Sequence, residues 1–182
     1  MLQLSSLIGK DIITADAYNI GEINDVRYDP FEWNVVGLRI KAKHTEKFAA
    51  GHGKANLLVL PNKFVVNDVL LMSQPIDGIK DSVSRDNENI SSLSTLMSAK
   101  VVTRDNALVG VVTTVVIDES TWKVSSIIVR LDKTAIEAMK MKKGFFEKIN
   151  VEIRTNMILS SKDMVHLNEQ MSGVRENMTV LE

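Results

Sequence analysis

Residues 4–41 read LSSLIGKDIITADAYNIGEINDVRYDPFEWNVVGLRIK, and residues 93–130 read LSTLMSAKVVTRDNALVGVVTTVVIDESTWKVSSIIVR. Laid one over the other without a gap, they carry Gly21 onto Gly110. Ten positions are identical: Leu4/Leu93, Ser5/Ser94, Leu7/Leu96, Thr14/Thr103, Asp16/Asp105, Gly21/Gly110, Val26/Val115, Asp29/Asp118, Trp33/Trp122 and Val35/Val124. Others exchange like for like, as Ile12/Val101, Ile23/Val112 and Ile40/Val129 do. A match at one fixed period is the signature of an architectural repeat. Two similar domains are therefore expected, residues 1–73 and 91–161. The polar stretch 74–90 reads as a linker, and 162–182 as a helical or extended tail.

Within each copy the local chemistry favours strands and tight turns. Asp16 and Asn19 supply side-chain acceptors before Gly21, which tolerates positive φ. The run Val111–Asp118 is rich in β-branched residues, which suit a strand. Asp29-Pro30 suits a type I turn leading to Trp33. In Asn34–Lys41, Val36, Leu38 and Ile40 alternate with Arg39 and Lys41, the mark of a half-buried strand. In the second copy Ser125, Ile127 and Val129 take the inward places, and Ile128 stands outward where Arg39 was. Short strands are expected at Asn56–Leu60, Lys63–Val66 and Val69–Met72, and again at Phe145–Ile149, Val151–Arg154 and Met157–Ser160. Asp132–Lys143 reads as a helix with a Thr134/Glu137 capping box and Gly144 as its stop. Met164, Leu167 and Met171 fit one face of a second helix. Closely spaced short strands argue for a mainly β fold of two tandem small antiparallel β-barrels with one or two short helices.

Composition narrows the function classes. The 182 residues are 45% hydrophobic and 25% charged, with a formal net charge of −1, so no basic excess favours nucleic acid. Without cysteine there are no disulfides or thiolate metal sites, which fits a reducing cytoplasm. No apolar run reaches membrane-spanning length, and the first residues do not read as a signal peptide.

No constellation of catalytic residues emerges, and no enzyme activity, cofactor or metal is expected. Asp16/Asp105 and Asp29/Asp118 sit where turns need acceptors. Three histidines, His44, His52 and His166, do not make a ligand set that recurs between copies. Trp33 and Trp122 read either as lids on a barrel mouth or as interface anchors, with Phe31 beside the first. Lys140, Lys142, Lys143 and Lys148 surround an apolar group of Met139, Met141, Phe145 and Phe146, either a solvated helix end or a patch for an acidic partner. The candidate partner-binding residues are thus Phe31, Trp33, Trp122, Ile128, Met139, Lys142, Phe145 and Phe146. Apolar Ile128 on an outward position also leads to an expectation of self-association, or of pairing with a paralogue.

Gly9-Lys10-Asp11-Ile12-Ile13, the spacing Asp16-x4-Gly21-Glu22-Ile23-x2-Val26-x2-Asp29, and Val35-Val36-Gly37-Leu38-Arg39-Ile40 resemble the PRC-barrel family, as does the second copy from Ala99 to Arg130. Leu60-Pro61-x3-Val65-x2-Asp68-Val69-Leu70-Leu71 resembles the close of a short archaeal PRC-barrel. The copies depart from one another where Gly9 becomes Ser98 and Gly37 becomes Ser126. The family's barrels were first recognised in the photosynthetic reaction centre H subunit, and a similar barrel closes the ribosome maturation factor RimM. Two barrels with little else resemble archaeal PRC-barrel proteins of cell division. That resemblance implies a cytoplasmic, non-enzymatic adaptor acting with FtsZ and its membrane anchor SepF, recruited to the division site without inserting in the membrane. The RimM likeness implies a ribosome-maturation or RNA-processing factor as the alternative.

Overall fold

A computed structural model describes residues 1–49, 56–61, 64–87, 89–142 and 148–181. The chain is mainly β, with curled sheets. In order come β1 (Leu2–Gln3), α1 (Leu4–Leu7), β2 (Asp11–Ile13), β3 (Asn19–Tyr28), β4 (Val35–Ala42), α2 (Thr45–Phe48), β5 (Leu57–Val59), β6 (Val65–Val66), β7 (Leu70–Leu71), β8 (Val83–Arg85) and β9 (Ser91–Ser92). The second half supplies β10 (Lys100–Val102), β11 (Leu108–Asp118), β12 (Lys123–Leu131), α3 (Lys133–Ala138), β13 (Asn150–Arg154), β14 (Ile158–Ser161), β15 (Val165–Leu167), α4 (Met171–Asn177) and β16 (Thr179–Leu181). Two compact units result. The N-terminal unit is residues 2–93 together with Glu119–Trp122, and the C-terminal unit holds 94–118 and the chain from Lys123 onward, with Met1.

The N-terminal sheet runs β6-β7-β2-β3-β4-β5-β8, with β9 also paired to β3. The C-terminal sheet runs β14-β15-β10-β11-β12-β13-β16, the same order strand for strand. Neither is wholly antiparallel, because β7 lies parallel to β2 and β15 parallel to β10. Those strands come from distant parts of each copy and enter beside the first strand from the same end.

Each core is built from the repeated apolar positions. Leu7/Leu96, Ile12/Val101, Ile20/Val109, Ile23/Val112, Val26/Val115, Leu38/Ile127 and Ile40/Val129 are all buried, none more than 2% exposed. Burying each such side chain contributes roughly 1.5–3 kcal/mol. The backbone repeats its unusual points as well. Left-handed residues recur at Gly9/Ser98, Ala17/Asn106 and Trp33/Trp122. Gly21 has φ +149°, and a Cβ there would sit 2.6 Å from the Lys41 carbonyl oxygen. At Gly110 a Cβ would collide with the Arg130 carbonyl oxygen, at the equivalent place. Both glycines permit a close approach of neighbouring strands beside a register shift.

Several expectations need correction. The stretch 74–90 holds single turns at Ile76–Gly78 and Lys80–Ser82, and then β8, which pairs with β5. Its Ile76, Ile79 and Val83 are buried, so apolar burial draws this polar segment into the unit. Likewise β16 pairs with β13, so the last part of each copy contributes an edge strand. Leu167 lies in β15, buried with Val165, rather than on a helical face with Met164 and Met171. The strand expected at Met157–Ser160 is β14, the counterpart of β6, and β15 matches β7. The strand expected at Phe145–Ile149 falls largely outside the described residues, and β13 takes the place corresponding to β5.

Helix α3 is shorter than expected. Its N-cap is Asp132, whose carboxylate accepts hydrogen bonds from the Thr134 amide at 2.9 Å and hydroxyl at 2.7 Å. It ends in a Schellman arrangement: the Met141 amide donates to the Ile136 carbonyl and the Lys140 amide to the Glu137 carbonyl, both at 3.0 Å. Lys140 takes the left-handed place at φ +53° that glycine usually fills. The expected stop, Gly144, lies outside the described residues.

Candidate interaction site

The turn between β3 and β4 is braced by hydrogen bonds and carries an exposed aromatic ring. Asp29 Oδ1 accepts from the Phe31 amide at 2.8 Å and from the Glu32 amide at 3.3 Å. The Trp33 amide donates to the Asp29 carbonyl, and the Asp29 amide to the Asn34 carbonyl, each at 2.8 Å. Trp33 adopts φ +59°, a conformation that costs an L-residue roughly 1–2 kcal/mol. Its ring lies tilted on Tyr28, with centroids 5.5 Å apart, and this packing helps to hold the turn. Phe31 therefore projects from a braced tip and is 90% exposed. A ring presented without further ordering of its backbone loses less entropy on binding.

The matching turn of the second copy differs in both sequence and setting. Ser120 stands at the position of Phe31. Trp122 keeps the left-handed backbone, φ +54°, but is only 7% exposed. Its ring meets Phe64 edge-on at 5.7 Å, and its carbonyl accepts a hydrogen bond from the Val35 amide at 2.8 Å. The two turns accordingly do not offer a pair of equivalent aromatic contacts.

The remaining candidates are dispersed. Ile128, expected as exposed apolar surface, is 7% exposed. Its strand is covered on both faces: Ile127 and Val129 are buried on one side, and Ser126 and Ile128 on the other. Met139 is buried and Lys142 exposed. Phe145 and Phe146 lie outside the described residues. Of the six candidates among the described residues, only Phe31 and Trp33 share one turn.

The recurrent aspartates serve their turns. Thr14 donates its hydroxyl to Asp16 Oδ1 at 2.6 Å, and that oxygen also accepts the Ile76 amide at 2.9 Å. The Thr14 hydroxyl is the main influence holding the Asp16 carboxyl below its ordinary range. Thr103 and Asp105 repeat the contact at 2.7 Å. Among the described residues, no three of His, Asp and Glu cluster in a way that could hold a metal ion.

A charged group that the sequence reading missed lies largely buried in the N-terminal unit. Arg27 makes a forked contact with Asp86: Nη2 to Oδ2 at 2.7 Å and Nε to Oδ1 at 3.0 Å. Asp25 Oδ2 stands 3.4 Å from Arg27 Nη1, and Asp25 Oδ1 accepts the Ser92 hydroxyl at 2.7 Å. Arg39 Nε is 3.6 Å from Asp86 Oδ2. The Asp86 side chain is 2% exposed and that of Arg27 9%. The equivalent positions of Asp25, Arg27, Gly37 and Arg39 in the second copy are Thr114, Val116, Ser126 and Ile128. Arg27 and Arg39, outward on neighbouring strands, were the available signal; Asp86 lay in the stretch taken for a linker.

A search against known proteins matches this chain to no family model and to no curated protein. No helix among the described residues is long and apolar enough to cross a membrane.

Proposed function

We propose that the chain is a non-enzymatic interaction scaffold made of two tandem barrels resembling the PRC-barrel family. In this reading it works in archaeal FtsZ-based cell division through a SepF-like membrane anchor. The observation that carries the scaffold reading is Phe31, 90% exposed on a turn braced by Asp29 and by the Trp33–Tyr28 contact. Aromatic side chains are enriched among the few residues that dominate binding energy at interfaces. The repeat supports the barrel reading, since each copy supplies a sheet of the same strand order.

Binding of the purified chain to a purified SepF-like anchor, measured by titration calorimetry, tests the reading. Wild type should bind, and Phe31→Ser should weaken binding by at least about tenfold, the loss of roughly 1.4 kcal/mol at a hot spot. Absence of binding by the wild-type chain defeats the division assignment. Wild-type affinity retained by a folded Phe31→Ser protein removes the turn as the contact.

A further inference from the structure

We propose that the groove between the end of α3 and α4 docks an acidic peptide segment that carries apolar side chains. The groove belongs to the C-terminal unit and encloses about 530 Å³, within the roughly 300–1,000 Å³ range of ligand clefts. Met139 and Met171 contribute apolar lining, and Ala138, Lys140, Ser172 and Arg175 line it as well. Glu176 is its one acidic residue among the described residues. Lys140 and Arg175 are exposed, and neither side chain has a hydrogen-bond or ion-pair partner among the described residues. Two such cations against the one Glu176 carboxylate leave the lining net positive beside methionine, which complements a ligand with carboxylates next to apolar groups.

The backbone adds an independent observation. Lys140 occupies the left-handed position after α3, where glycine would close the helix without strain. A lysine held there places its charge at the groove, and conformational cost at one position is a reason to ask what the side chain does. Met139, only 2% exposed, lies recessed in this lining. A side chain from a peptide can enter such a concavity, whereas a planar lipid surface meets only its rim. Methionine adapts to differently shaped apolar side chains, so the charges would set orientation and the partly exposed Met171 would supply contact. The proposal takes a protein as occupant and rests to that extent on the scaffold reading, but it does not involve the Phe31 turn.

Fluorescence anisotropy with a labelled peptide of alternating leucine and aspartate tests it on the full chain. An alternating leucine–lysine peptide, polyaspartate, and phosphatidylserine–phosphatidylcholine vesicles serve as the comparison arms. Saturable binding of the leucine–aspartate peptide, weakened by salt and stronger than binding of either control peptide, is expected. Lys140→Gly and Arg175→Ala should each weaken it, and together by about tenfold or more. Lys140→Gly should melt no lower than wild type, which separates loss of the charge from loss of the fold. Phe31→Ser should bind the peptide as wild type does, even if it loses the SepF-like anchor. The proposal is overturned if the leucine–aspartate peptide fails to saturate, if the folded double variant binds it unchanged, or if the leucine–lysine peptide binds as well. It is equally overturned if polyaspartate binds as tightly, if only vesicles bind, or if Phe31→Ser alone abolishes peptide binding.

Discussion

Trp33 and Trp122 occupy equivalent turn positions with nearly the same left-handed backbone, φ +59° and +54°, yet their rings meet different partners. Trp33 leans on Tyr28 from its own hairpin, whereas Trp122 is buried against Phe64. Conformation follows the turn, which both copies need, while burial follows the neighbours, which they do not share. Trp122→Ala should therefore destabilise the fold by about 3–5 kcal/mol, in the range for large buried aromatics. Trp33→Ala should cost less, about 1–2 kcal/mol, because that ring is only half-buried. Urea unfolding of the two variants, followed by far-ultraviolet circular dichroism, checks the order. Equal losses would mean that Phe64 adds nothing to the packing of Trp122.

Gly21 and Gly110 test whether the repeat is structural at its closest approach. A Cβ at either would meet a backbone carbonyl of the neighbouring strand, Lys41 or Arg130, and backbone cannot swing aside as a side chain does. Gly21→Ala and Gly110→Ala should each destabilise by more than about 1–3 kcal/mol, the usual cost of overpacking. Gly9→Ala makes the contrast, since a Cβ there meets nothing within 4 Å and only its φ of +86° opposes the change. A thermal melt in which Gly9→Ala costs as much as Gly21→Ala would refute the steric account.

Ile128→Arg would be a test of self-association if Ile128 were open to solvent. Its 7% exposure changes the expected result. An arginine at this position must bury its charge or force open the surface that covers it, at a cost of several kcal/mol. We expect a sharp fall in the denaturation midpoint. A variant as stable as wild type would return Ile128 to the exposed surface that its strand position implied.

The part of each copy from Leu4 or Leu93 to Lys41 or Arg130 was legible because its strands are long enough to alternate and its turns demand particular residues. Buried Leu38 and Ile40 follow directly from the alternation. Beyond it the strands shrink, as in β6 and β7, two residues each, and leave no period to read. In 162–171 the apolar residues fit two periods at once. Met164, Leu167 and Met171 suit a helix, Val165 and Leu167 suit a strand, and pairing with β10 decides for the strand. Phe31 was legible as a candidate because it sits in a turn. The groove beside α4 was not, because it needs the end of α3 and residues about thirty positions later to come together. The ionic cluster was hidden for the same reason, with Arg27 and Asp86 separated by 59 positions.

That cluster yields the last prediction. Asp86 is nearly inaccessible and faces Arg27 through a forked contact, with Arg39 Nε 3.6 Å from its Oδ2 and without a hydrogen bond among the described residues. Arg27 also faces Asp25 at 3.4 Å, but Asp86 is the carboxylate that both arginines share, and without it one anion is left beside two cations. Asp86→Ala should therefore cost about 3–5 kcal/mol, the penalty of breaking a buried pair from one side. Asp86→Asn keeps the shape and some hydrogen bonding but not the charge, and should fall between Asp86→Ala and wild type. If the penalty comes from leaving arginine behind, Arg27→Met in the Asp86→Ala background should restore part of the stability, although each single change destabilises. The double-mutant cycle should then show a coupling of roughly 0.5–3 kcal/mol. Additive losses in urea titrations would mean that the forked contact contributes no coupling, and that Asp86 matters through its packing alone.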